Sequence, residues 1–310
     1  MSLQTQQYAE THALTVYSTR DKWWKKENKH MRINESCAAC LYDKRKQLTD
    51  DEEYLTEVKR LIDTRRESDT APYMVYLFDR AYEKRFGKRA SYRAIKKQYN
   101  DLALSMEAAL RKEIEASPEP LETALLYARI GNYIDFGAMN HVDEETFLKL
   151  FENVKASEHD AAVMRSLFRQ CENAKSFLLI ADNCGEIVLD KLFLSELHRR
   201  FPDLDLSVMV RGGEVLNDAT MEDAEYVGLP QIARVISSGS NAAGTIYDML
   251  SPEARDALDS ADIILTKGQG NYESLSHQGR HIFYSFLCKC ELFTERFSVP
   301  PLTGMLVEEV

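Results

Sequence analysis

Ser176-Phe-Leu-Leu-Ile-Ala-Asp-Asn-Cys-Gly-Glu186 contains an apolar run, an abrupt polar break and a glycine, in that order. A short apolar run bounded by polar residues reads as a strand buried on both faces. Gly185–Arg200 follows with the spacing of a helix. Strand, glycine-bearing loop and helix in succession open a βαβ unit. Downstream, Leu206–Val210, Ala233–Ser237, Ala261–Thr266 and His281–Phe286 repeat the strand pattern, and the last of these is expected to close the sheet. Met221–Val227 and Thr245–Leu258 read as helical segments between them. The second half is therefore α/β, with a mainly parallel sheet covered by helices on both faces.

Upstream the period changes to that of helices. Asp51–Arg66 places Tyr54, Leu55, Val58, Leu61 and Ile62 at three- and four-residue spacing. Met74–Phe86, Tyr92–Glu115 and Leu121–Ile130 continue it, with Pro118 and Pro120 marking a stop and restart. Asp143 can cap a helix over Glu144–Lys155, and Ser157 or Asp160 one running to about Asn173. The expected organisation is an N-terminal all-helical domain over residues 1–130, its first residues peripheral, and an α/β domain over 131–310.

The chain has 310 residues, 44% apolar, with 39 basic and 50 acidic side chains and a formal charge of −11. That excludes polyanion wrapping and adhesion to anionic membrane, so no nucleic acid and no membrane partner is expected. Basic residues between Arg20 and Lys46, including Lys22-Trp-Trp-Lys-Lys26, are expected to form a solvated helix face rather than a nucleic-acid patch. No apolar stretch approaches the ~20 residues of a membrane span, and Met1–Glu10 lacks a signal-peptide core. A cytoplasmic protein is expected, and its six cysteines default to thiols or ligands.

In open parallel sheets, ligands bind beyond the carboxyl ends of the strands. Three such ends are polar and glycine-bearing: Asp182-Asn-Cys-Gly-Glu186, Arg211 through Thr220, and Lys267-Gly-Gln-Gly-Asn271. Asp182, Asn183 and Asp218 supply hard oxygen donors suited to Mg²⁺ or Mn²⁺. The amides at Gly185 and Glu186 open a helix and suit an anion. Lys267 adds a point charge, Gly268 and Gly270 allow close backbone approach, and Asn217 joins this phosphate-binding set. The side chains of Glu186 and Asp190 are expected on the helix surface or in its first turn rather than as ligands. Together these groups would build a local positive pocket for a phosphate in a negative protein. No Walker A loop, dinucleotide glycine fingerprint, haloacid dehalogenase Asp pair, Gly-x-Ser-x-Gly elbow or paired zinc histidine spacing is present.

These motifs, in this order, resemble the DUF89 family of metal-dependent damage-control phosphatases. The matching stretches are Ala181–Asp190, Val210-Arg-Gly-Gly-Glu-Val-Leu-Asn-Asp-Ala-Thr220, Thr266-Lys-Gly-Gln-Gly-Asn-Tyr-Glu-Ser274 and Gly131-Asn-Tyr-Ile-Asp-Phe136. Cys37-Ala-Ala-Cys40 resembles the mark of the prokaryotic-type branch. The resemblance implies a helical domain packed on a Rossmann-like α/β domain. It implies a divalent metal (Mg, Mn, Co or Ni) at Asp182, Asn183 and Asp218, with hydrolysis of small phosphorylated metabolites. It places Asn132, Asp135 and Lys267 near the substrate. Glu214 stands where the family often has proline, a departure that could alter substrate choice.

Two other readings stay open: an S-adenosylmethionine-dependent carboxyl methyltransferase, and a non-catalytic metal- or metabolite-binding module. Cys37 and Cys40, with Cys288 and Cys290 as candidate completions, are structural thiols, a metal or disulfide tie, or a redox pair.

Overall fold

The computed structural model describes residues 33–133, 151 and 154–310. The expected helix over 144–155 falls almost wholly outside these residues, as do Asp135, residues 1–10 and the Lys22–Lys26 stretch.

Three helices come first: α1 (Glu35–Lys46), α2 (Glu52–Asp63) and α3 (Ala71–Phe86). Asn34, Asp51 and Thr70 cap them by accepting the amides of Cys37, Tyr54 and Tyr73. They bury Leu41, Tyr54, Val58, Ile62, Met74 and Phe78 in a cluster of their own. Helices α4 (Arg93–Ala116) and α5 (Pro120–Ile130) pack elsewhere. Tyr99, Ala103, Met106, Leu110, Leu125 and Leu126 belong to the same core as the sheet. Helix α6 (Glu158–Cys171) starts with a capping box between Ser157 and Asp160.

Strands and helices then alternate: β1 (Ser176–Ile180), α7 (Glu186–Arg200), β2 (Asp205–Val210), α8 (Met221–Tyr226), β3 (Arg234–Ser237), α9 (Pro252–Ser260), β4 (Ile263–Lys267), α10 (Gln269–Leu275), β5 (Ile282–Leu287), α11 (Glu291–Phe297) and β6 (Gly304–Glu309). The sheet order is β3-β2-β1-β4-β5-β6. The first five strands run parallel, and β6 pairs antiparallel with β5. Side chains alternate between layers, as a strand's period of two requires. Phe177, Leu179, Val208, Leu265 and Phe283 face the core beneath α4–α7. Leu178, Ile180, Met209, Ile264 and Tyr284 face α9–α11.

Two expectations change. Thr245–Leu258 is not one helix. Tyr247–Met249 makes a single tight turn, and α9 starts afresh with Ser251 as N-cap and Pro252 in its first turn, because proline lacks the amide a continuing helix needs. His281–Phe286 is also not the last element, since α11 and the antiparallel edge strand β6 follow it.

Strand order reverses between β1 and β4, so their carboxyl ends open a crevice between helices that leave on opposite faces. Leu179 lies fully buried in the middle of β1. Leu179→Ala should lower unfolding free energy by about 2–5 kcal/mol, read as a lower urea midpoint with unchanged circular dichroism.

Candidate metal and phosphate site at the strand reversal

The crevice is built from the loops after β1, β2 and β4. An isolated antiparallel bridge joins Asn183 to Asp218, and the Ala219 amide donates to the Asp182 carbonyl at 2.7 Å. Asp182, Asn183 and Asp218 thus come together although 34 residues separate Asn183 from Asn217, whose Nδ2 donates to Asn183 Oδ1 at 2.9 Å. Leu216, just before this pair, holds a left-handed backbone at φ 44°, a local strain for a branched side chain at the mouth of the loop.

Arg211 ties the carboxylates. Its Nε donates to Asp218 Oδ2 at 2.7 Å, one terminal nitrogen lies 3.8 Å from Asp182 Oδ1, and the same nitrogen donates to Asn271 Oδ1 at 3.1 Å. The guanidinium is only 2% exposed, whereas Asp182 keeps 15% of its side chain open to solvent. The amides of Asn132 and Asn183 donate to Asp182 Oδ2 at 2.9 and 2.8 Å, and both also donate to Glu186 Oε2. Asn132 Oδ1 is buried with no hydrogen-bond partner among the described residues.

Burial, with the charges of Asp218 and Glu186, pushes the Asp182 carboxyl up to about 7, while Lys289 and Arg211 pull it down. Lys289 follows β5, and its amide donates to Gln269 Oε1 at 3.1 Å. The rule that located the other loops applies equally to the end of β5, so this cation was findable from sequence.

Glycine is required beneath Asp182. Gly268 has φ 80°, and a Cβ there would lie 2.0 Å from Asp182 Oδ2. Gly270 instead approaches backbone: its Cβ would lie 2.3 Å from the Ala243 carbonyl.

Lys267, Gly185 and Asp190 differ from their expected settings, and Glu186, though in the first turn of α7 as expected, is buried. The Lys267 ammonium is fully buried and donates to Glu186 Oε1, Asp190 Oδ1 and the Ala128 carbonyl, at 2.7, 2.7 and 2.8 Å. All three of its protons are committed. Burial alone would lower its pKa, but the two carboxylates outweigh that and raise it. Glu186 and Asp190 are therefore interior groups rather than surface ones, and burial pushes Asp190 up to about 7. The Gly185 amide is also engaged, donating to Asn100 Oδ1 at 2.6 Å.

A model of the damage-control phosphatase ARMT1-like domain matches residues 27–301. The chain belongs to this family. It is 31% identical over 276 residues to a damage-control phosphatase of Archaeoglobus fulgidus, covering 84% of this chain and 93% of that one. It is 32% identical over 287 residues to an uncharacterized Methanocaldococcus jannaschii protein, covering 87% and 93%. The crystal structure of a DUF89 family protein from Pyrococcus horikoshii shares its fold, with a TM-score of 0.76 at 24% identity over 90% of this chain and 99% of that one.

Within this damage-control phosphatase fold all six cysteines are free thiols. Burial, then the charges of Glu273, Cys290 and Cys40, push Cys37 up to about 12. A thiol so protonated at neutral pH is a poor nucleophile. Among the described residues no group of three His, Cys, Asp or Glu side chains is arranged to hold a metal ion. The donors gathered at the strand reversal are two carboxylates supplemented by amide oxygens.

Lys267→Met should cost about 3–5 kcal/mol at neutral pH, because two buried carboxylates lose their counter-charge. A carboxyl whose folded pKa exceeds its unfolded value binds protons more tightly when folded, so its contribution to stability falls as pH rises. Lys267 holds the Asp190 pKa down, so without it Asp190 keeps its proton to a higher pH, and denaturant titrations should find the deficit of Lys267→Met narrowing as pH falls from the alkaline side to about 7, where Asp190 of the unsubstituted protein also takes up its proton.

Proposed function

We propose that the protein is a cytoplasmic, metal-dependent phosphatase that hydrolyses phosphate monoesters of small metabolites, such as sugar phosphates, over Asp182 and Asp218. Its family membership makes it a phosphatase. The observation that carries the site is the balance of buried charge. Four acids, Asp182, Glu186, Asp190 and Asp218, gather around the buried Arg211 and Lys267, with the Lys289 charge also acting on Asp182, so negative charge prevails in this largely buried cluster. Unbalanced buried charge calls for a counter-ion.

The residues fit a divalent cation. Asp182, Asn183 and Asp218 present hard oxygens, each amide oxygen keeps a second lone pair, and Asn132 Oδ1 has a spare acceptor beside them. This donor set suits Mg²⁺ or Mn²⁺ and accepts Co²⁺ or Ni²⁺. When bound, the ion supplies Lewis-acid stabilisation of charge on the phosphate oxygens. The free thiols match a reducing compartment.

The chain's own residues do the rest. Arg211 and the Asn132 and Asn183 amides fix the Asp182 carboxylate, which is more open to solvent than Asp218, Glu186 or Asp190. Lys289 contributes positive charge at Asp182, while Lys267 is fully committed to Glu186, Asp190 and Ala128. Hydrolysis forms a water-oxygen bond to phosphorus as the ester oxygen leaves and takes up a proton.

The test is inorganic phosphate release from a panel of sugar phosphates and related monoesters, with each of the four ions and with chelator, in the absence of S-adenosylmethionine. Turnover should require the ion, and Asp182→Ala and Asp218→Ala should each lose about 10³-fold, equivalent to about 4 kcal/mol of barrier. Full activity in either folded variant would remove the site assignment.

A further inference from the structure

We propose that Asn100, on helix α4, is a positioning residue that locks together the two loops carrying the metal-binding oxygens. This rests on the metal reading given above.

Helix α4 has no side-chain cap of its own at Tyr92. The loop after β2 provides one: Glu214 accepts the Ser91 hydroxyl at 2.9 Å and the Tyr92 amide. One and two turns on, at Lys96 and Asn100, the same helix face meets the active-site loops, since residues four apart lie above one another. Lys96 Nζ pairs with Asp223 at 2.5 Å and is 3.4 Å from Thr220 Oγ1. Asn100 is 1% exposed and uses both ends of its amide. Its Oδ1 accepts the Gly185 amide at 2.6 Å, and its Nδ2 donates to Asp223 Oδ1 at 2.9 Å.

Each contact continues to a metal-binding oxygen. Gly185 is two residues beyond Asn183, in the turn that aims Asp182. Asp223 Oδ2 accepts the Thr220 amide and hydroxyl at 2.9 and 2.7 Å, fixing the chain two residues after Asp218. One buried amide therefore sets the separation of two loops from different strand ends. Partners hydrogen-bonded directly to a ligand typically tune metal affinity 10- to 100-fold, and Asn100 acts one contact further out, so the lower end of that range applies.

The experiment is Mn²⁺ titration followed by electron paramagnetic resonance on the full-length protein, with thermal unfolding measured in parallel. Asn100→Ala should bind Mn²⁺ about 10-fold more weakly. Leu110→Ala, a buried apolar deletion on the same helix away from the loops, should lose stability but keep Mn²⁺ affinity. Asn100→Asp keeps an acceptor for the Gly185 amide but sets like charges against Asp223, so it should also bind weakly. Combining it with Asp223→Asn exchanges the carboxylate and the amide, conserves net charge and both Asn100 hydrogen bonds, and gives Lys96 a carboxylate one turn along its own helix in place of the one lost at 223, so it should restore much of the affinity. A general structural role does not predict that rescue. Unchanged Mn²⁺ affinity in Asn100→Ala or Asn100→Asp, or a folded double variant without rescue, overturns this inference alone. Failure of the unsubstituted protein to bind Mn²⁺ overturns the metal reading and this inference with it.

Discussion

Asp182 and Asp218 come from different strand ends, yet their carboxylates share one arginine in a crevice that admits little water. Two like charges so placed repel each other and lose hydration, and a protein tolerates that only with compensating partners. Most of the surrounding architecture supplies them. Arg211 carries the charge, Asn132 and Asn183 supply donors, and Gly268 gives up a side chain so that backbone passes under the acid. On the function proposed above, a cation held between the two carboxylates would relieve the same repulsion.

A second charged layer lies below. The Lys267 ammonium joins β4 to α7 through Glu186 and Asp190, and to α5 through the carbonyl of Ala128. That carbonyl is among the last four of α5, which have no partner within the helix. Lysine thus serves as a C-terminal cap and as counter-ion to two acids. Gly131 lets α5 end this close to α7, since a Cβ there would lie 2.9 Å from Glu186 Cγ. Glu186 then passes order upward, because the oxygen not facing Lys267 accepts both asparagine amides of the upper layer.

Much of this was legible from residue order. The parallel strands are clean apolar runs, and the rule about their carboxyl ends led directly to Asp182, Asn183 and Asp218. The direction of Lys267 was not legible. Read as the first loop residue it faces a ligand, but as the last residue of β4 it shares a face with Leu265, two positions back, and enters the core. A shift of one position in a strand boundary inverts a side chain's role. Asn100 was equally hidden, because in sequence it is one polar residue in a long amphipathic helix and its partners lie more than 80 positions away. Strand β6 escaped notice because Glu308 and Glu309 interrupt its apolar pattern. Glu214, a departure from the family's usual proline that suggested altered substrate choice, meets the start of α4 as a helix cap.

The central position of β1 has a consequence for synthesis of the chain. Its two edges pair with β2 and with β4, and the second partner starts at Ile263, more than 80 residues after β1 ends. While the ribosome makes the intervening chain, a strand that is apolar from Phe177 to Ile180 has one open edge, the kind of surface on which nascent chains stick to one another. Helices α4 and α5 are complete by then and already belong to the core that covers one face of β1. The helical half can therefore shelter the unfinished sheet during its own translation, a service rendered before any substrate arrives.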